Sequence, residues 1–249
     1  MNSRSILTLS IALNSVLILG AVGFIGIKFY EQSNAKQPIV ASSASSLTYS
    51  SYTHRLRSSI LSEKPNSHAI VMFGDSITGN AEWSEWLQSD VANRACAGDK
   101  VDGLMDRLEE VVSCNPSKVF LMIGINDLTS GDSEANVAKK IKSLTTRLHE
   151  KLPHAKIFLQ SIIETNPQSS LLNPEQDAPR FQAALNQKVK NVNSKLSSFA
   201  NEYITYVDLN SKLSNESGLK AEYTADGIHL NGKGYAAWVK ALDQILSGL

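Results

Sequence analysis

Cysteine is nearly absent, with Cys96 and Cys114 the only two in 249 residues. That excludes a disulfide-stapled scaffold and a thiolate zinc site, which need more cysteines at set spacings. Charge of one sign is missing too. Lys plus Arg and Asp plus Glu number 24 each, so the formal net charge is zero. A chain this balanced carries no basic footprint for nucleic acid and no acidic solvating tail. No internal repeat is present. What remains is 42% hydrophobic and 19% charged, an ordinary globular composition with enough apolar material for one sizeable core.

In one place charge disappears altogether. From Ile6 to Ile27 no residue is charged, and Leu, Ile, Val, Ala and Gly dominate. About 22 residues at roughly 1.5 Å each reach about 33 Å as a helix, enough to cross a bilayer core. The apolar part of a cleaved signal peptide is shorter, about 7–15 residues, and no small-x-small site follows directly. The run is therefore read as an uncleaved membrane anchor, with a cleaved signal or a buried helix as alternatives. Arg4 flanks one side, Lys28 and Lys36 the other. The expected arrangement is a membrane-bound chain with an extracytoplasmic catalytic domain. Three segments follow: an anchor or signal over 1–30, a Ser-rich tether and leading helix (from about Tyr49 to Leu61) over 31–65, and a globular domain over 66–249.

Within that domain two patterns alternate. Continuous apolar runs lie at 68–73, 118–123, 156–162 and 203–208, with a weaker one near Val91. Unbroken apolarity marks strands covered on both faces, as in a parallel sheet. Between them come helical periodicities. One places Val101, Leu104, Met105, Leu108 and Val111 on a single face, another Val137, Ile141, Leu144 and Leu148. A third places Leu185, Val189, Val192 and Leu196 together, and a last one Trp238, Leu242 and Ile245. Strand and helix alternating about five times predict an α/β three-layer sandwich, in which ligands sit beyond the carboxyl ends of the strands.

Polar clusters sit at those ends. The first run closes in Gly74-Asp75-Ser76, the second leads to Gly98-Asp99, and the third to Gly124-Ile125-Asn126-Asp127. Asp226 and His229 precede the last helix. Each alone has a plain explanation: Gly-Asp-Ser arises by chance, Asn-Asp caps helices, and Asp-Gly makes turns. Together they hold every part of an acyl-transfer site. A serine hydroxyl needs an adjacent base to react, and His229 is the candidate for Ser76. Asp226 is positioned to fix the imidazole's tautomer. The backbone N–H groups of Ser76 and Gly98 and the side-chain amide of Asn126 are candidate donors to an oxyanion.

These four stretches, FGDSIT, NRACAG, GIND and DGIHLN in that order, resemble the signature blocks of the SGNH hydrolases, also called GDSL esterases/lipases. The resemblance spans roughly 66–249. It implies a flavodoxin-like five-stranded parallel sheet of order 2-1-3-4-5. It further implies Ser76 as nucleophile, Asp226 and His229 as its triad partners, Gly98 and Asn126 as oxyanion donors, and no metal or organic cofactor. Ala95-Cys96-Ala97 before Gly98 departs from the usual second block. Among subgroups, the blocks are most similar to bacterial esterases related to platelet-activating-factor acetylhydrolase and lysophospholipase L1.

Other residues carry weaker expectations. Trp83 and Trp86 follow the nucleophile loop, where an aromatic lines an acyl pocket, stacks on a sugar or packs in the core. The loop over 164–179 is expected to shape substrate access, with Asn166 as a substrate contact. A Cys96–Cys114 disulfide is not expected across a helix of about 20 Å, and the histidines other than His229 are read as structural. The expected function is a membrane-anchored serine esterase acting on small-molecule, lipid or glycan esters. The alternatives are an O-acyltransferase for an envelope polysaccharide, a lysophospholipase, and a catalytically idle anchored module.

Overall fold

The computed structural model describes residues 67–168 and 178–246. The anchor, the tether with its leading helix, and most of the 164–179 loop lie outside them. No helix among the described residues is long and apolar enough to cross a membrane.

Five parallel strands form the sheet: β1 (Ile70–Gly74), β2 (Val91–Asn93), β3 (Lys118–Met122), β4 (Lys156–Gln160) and β5 (Ile204–Val207). Their order is β2-β1-β3-β4-β5, as expected. The register sets Ile70 beside Val91 and Lys118, and Phe158 beside Phe120 and Thr205. Every residue of β1, and all but the first of β3 and β4, is buried. Burial on both sides of the pleat explains why these strands read as unbroken apolar runs. At the sheet centre the rings of Phe120 and Phe158 stack with centroids 4.6 Å apart.

The helices are α1 (Ser76–Gly79), α2 (Trp83–Leu87), α3 (Val101–Asp106), α4 (Glu109–Val112), α5 (Ile125–Thr129), α6 (Glu134–Lys151), α7 (Ala178–Ser197), α8 (Asn210–Leu213) and α9 (Gly232–Leu246). Among them α6 packs against α3, α5 and α7, and α9 packs against α2 and α8. The long α6 begins where the Ser133 hydroxyl accepts the Asn136 N–H, and it buries Val137, Ile141, Leu144 and Leu148.

One local expectation needs correction. The periodic stretch from Val101 to Val112 is not one helix but two, broken at Arg107, whose backbone leaves helical geometry (φ −111°, ψ 25°). The cause is tertiary: the Arg107 side chain is buried against Asp99, Arg94 and Glu110. In addition, a short antiparallel pair, β6 (Ser214–Asn215) and β7 (Gly218–Leu219), was not foreseen. Its turn needs Gly218 at φ +112°, where a Cβ would lie 2.3 Å from the Thr165 carbonyl oxygen. Both cysteines are buried, and no disulfide joins them.

Candidate active site

The end of β1 is built so that the chain turns sharply. Asp75 is extended (φ −100°, ψ −156°), and Ser76 opens α1, a helix of a single turn. So short a helix cannot stabilise itself. Its carbonyls are instead held by side chains from three other elements. Tyr235 of α9 donates its hydroxyl to the Ile77 carbonyl at 2.7 Å. Trp83 of α2 donates its indole N–H to that of Thr78 at 2.7 Å. Asn93 of β2 donates to Gly79 and Ala81 at 3.1 Å each. At the other end, the Asp75 carboxylate accepts the Ile77 N–H at 3.0 Å as an N-cap.

Asp226 and His229 arrive on the loop before α9. The Asp226 carboxylate closes a tight turn by accepting the N–H groups of Ile228 (2.9 Å) and His229 (2.7 Å) through Oδ1. Its Oδ2 lies 2.6 Å from His229 Nδ1, and His229 Nε2 lies 2.9 Å from Ser76 Oγ. The structure thus brings Ser76, His229 and Asp226 into one hydrogen-bonded row. A carboxylate at Nδ1 favours the proton there, so Nε2 is free to accept from the Ser76 hydroxyl. Burial pushes the Asp226 carboxyl upward, but the hydrogen bonds from His229 and from the two amides outweigh it and hold it below its ordinary value. His229 and Asp226 retain 32% and 26% side-chain exposure, so the row is open to an incoming molecule.

Gly98 and Asn126 lie on the chain segments that follow β2 and β3. Gly98 is exposed at φ +80°, which strains any residue with a side chain although the space around it is empty. Asn126 sits in the first turn of α5 and donates its amide to the Asp99 carbonyl at 2.8 Å. Next to it, Asp127 accepts the Val101 N–H at 3.2 Å through Oδ2. The Cys96 N–H donates to the Gly74 carbonyl at 3.0 Å, which ties this loop to the turn carrying Ser76.

Trp83 and Asn166 do not contact the open site. Trp83 is 1% exposed, its ring edge-on to Trp238 at 4.9 Å, so it packs the core and pins α1. Asn166 is 7% exposed, and its amide is consumed by the Leu219 carbonyl (2.7 Å) and the Gln168 N–H (2.9 Å). Its backbone N–H donates to the Gly227 carbonyl at 2.8 Å, bracing the loop that carries Asp226. Sequence reasoning missed Tyr235 and Asn93, whose partners are remote in the chain. His68 pairs with Asp90, and His149 stacks on Tyr203. Among the described residues, no group of three or more His, Cys, Asp or Glu side chains is arranged as metal ligands.

Asp75 has a measurable consequence. Burial, reinforced by the nearby Asp99 and Asp127 carboxylates, raises its pKa from 3.8 to about 7, against the opposing Ile77 hydrogen bond. Between those values the folded protein keeps a proton that the unfolded chain has released. Its contribution is therefore full below pH 4 and is lost as pH rises towards 7, by about 4 kcal/mol in all. Asp75→Asn keeps the cap and removes the titration. Urea unfolding at pH 5 and 8 is expected to show wild-type stability falling relative to the variant, and parallel pH profiles would contradict this.

A sequence model of the GDSL-like lipase/acylhydrolase family matches residues 72–237. No curated protein matches the chain. Several solved structures resemble it. A provisionally assigned platelet activating factor from Streptococcus pneumoniae is 23% identical, with 78% of this chain and 90% of that one covered, at a TM-score of 0.67. A provisionally assigned acylhydrolase from Bacteroides fragilis is 22% identical, covering 80% and 99%, at 0.64. An acetyl xylan esterase is 21% identical, covering 71% and 99%, at 0.53. At these identities the likeness is one of fold.

Proposed function

Since the chain belongs to the GDSL-like lipase/acylhydrolase family and is a hydrolase, we propose that it cleaves carboxylic esters through an acyl-enzyme on Ser76. The observation that carries this reading is the row Ser76 Oγ–His229 Nε2–Asp226, with links of 2.9 and 2.6 Å. His229 takes the Ser76 proton as Oγ adds to the ester carbonyl, and Asp226 stabilises the imidazolium. The oxyanion accepts from the N–H groups of Ser76 and Gly98 and from the Asn126 amide. The alcohol leaves with the proton from His229. Water, deprotonated by the same nitrogen, then releases the acid and restores the serine.

The substrate we favour is a short acyl group, such as acetyl, on a hydroxyl-rich alcohol. A depression of about 580 Å³ lies between the end of α1 and the start of α9, lined by Asn80, Glu82, Glu85, Trp86 and Gln88. Trp86 is 39% exposed there, an aromatic among carboxylate and amide groups, which suits a sugar better than a long acyl chain. The acetyl xylan esterase among the structural neighbours acts on an ester of this type. We further place the uncharged 6–27 run in a bilayer, with the hydrolase domain on its extracytoplasmic side.

The test is the full-length chain against p-nitrophenyl esters of graded length, an acetylated polysaccharide and a lysophospholipid, with and without a polyol acceptor. Hydrolysis of the acetyl esters and fluorophosphonate labelling at Ser76 are expected. Acyl transfer to the polyol would make the chain a transferase. Preference for the lysophospholipid would overturn the glycan assignment, and absence of labelling would leave an idle module.

A further inference from the structure

Arg107 is buried, yet it touches both ends of the loop that carries Gly98. Its Nε donates to Asp99 Oδ2 at 2.8 Å, with Nη2 2.7 Å from the same oxygen. Its Nη1 donates to the Arg94 carbonyl at 2.7 Å and lies 3.1 Å from Glu110 Oε2. The guanidinium lies over the Phe73 ring, 5.2 Å from its centroid, and Phe73 belongs to the strand that ends at the nucleophile turn. Arg94 and Asp99 flank the exposed left-handed Gly98. The same Asp99 offers its carbonyl to the Asn126 amide at 2.8 Å. Both candidate oxyanion donors outside the Ser76 turn thus depend on where Asp99 and Arg94 are held.

We propose that Arg107 is the positioning residue of the oxyanion site. It clamps the 94–99 loop at both ends so that the Gly98 N–H and the Asn126 amide converge on one point. The inference rests on the acyl-enzyme reading above. Its physical basis is the guanidinium fork: a planar group holds a carboxylate and a carbonyl at fixed angles, whereas an ammonium offers a point charge that cannot span both. Gly98 needs such a clamp because a glycine loop in the open has little of its own to define its direction. Donors displaced by a fraction of an ångström still bind the planar ester but lose strength towards the tetrahedral oxyanion.

The effect belongs on turnover more than on substrate affinity. Arg107→Lys and Asp99→Asn, with rates normalised to sites titrated by a fluorophosphonate, are expected to lower kcat about 10- to 100-fold with KM changed less than threefold. A boronic acid, which forms a tetrahedral adduct on serine, is expected to lose affinity by a similar factor. The product acid is expected to bind as before. Because rates are counted per reactive site, unfolded protein does not contribute. Normalised kcat and boronate affinity within twofold of wild type would make Arg107 a purely structural ion pair and overturn the proposal. Failure of the wild-type chain to label at Ser76 would instead remove the acyl-enzyme reading on which it stands.

Discussion

Replacing Ser76 by alanine is expected to lower kcat for p-nitrophenyl acetate by about 10,000-fold or more and to abolish fluorophosphonate labelling, while the fold stays intact. The magnitude follows from the cooperation of the row. His229 has no hydroxyl proton to take once Oγ is gone, so losing the nucleophile forfeits the base and the orienting carboxylate along with it. The fold survives because nothing that holds α1 involves the hydroxyl. Tyr235, Trp83 and Asn93 bind the carbonyls of Ile77, Thr78 and Gly79, and Asp75 caps the amide of Ile77. Alanine is also a good helix former. Near-UV circular dichroism and the thermal midpoint should match the wild type. A variant that turned over at more than a hundredth of the wild-type rate would place the nucleophile elsewhere.

The strands were readable from the chain because each is covered on both faces, and such coverage leaves an uninterrupted apolar word such as Ile70 to Phe73 or Val119 to Met122. That Ser76, Asp226 and His229 would meet was readable as well, since Ser76 comes just after a strand and the other two just before a helix. Contacts that span the chain were not. Tyr235 reaches Ile77 across 158 positions, and nothing in the last helix separates it from a core aromatic. The break at Arg107 was hidden for the same reason. Val101 to Val112 has sound helical periodicity, and the break coincides with the buried contacts of Arg107 to Asp99, Arg94 and Glu110. For Trp83 the sequence leaves pocket, sugar and core all open, and Asn166 is read as a substrate contact, because proximity in sequence to the nucleophile or to strand four is the only guide. Burial gives each an architectural task instead: Trp83 holds α1, and Asn166 braces Gly227.

Changing Asp226 to asparagine is expected to lower kcat about 10,000-fold, nearly as much as removing the serine, although it alters a single atom pair. In the wild type Oδ2 accepts from His229 Nδ1, which leaves Nε2 as the acceptor facing Ser76 Oγ. An asparagine that keeps its oxygen at the Oδ1 position still accepts from the amides of Ile228 and His229, so the turn holds. Its NH2 group then faces Nδ1 and favours the tautomer with the proton on Nε2. That imidazole donates where it should accept, and the Ser76 hydroxyl has no base. Stability supplies an independent reading. The Asp226 carboxyl is held below its ordinary value, so its contribution to folding is present above about pH 4 and is lost as pH falls through the folded pKa. The variant should therefore be less stable than the wild type at pH 7, with the gap closing in acid. Retention of a tenth or more of wild-type kcat, or a stability gap that does not narrow in acid, would show that this carboxylate neither orients His229 nor carries charge beside it.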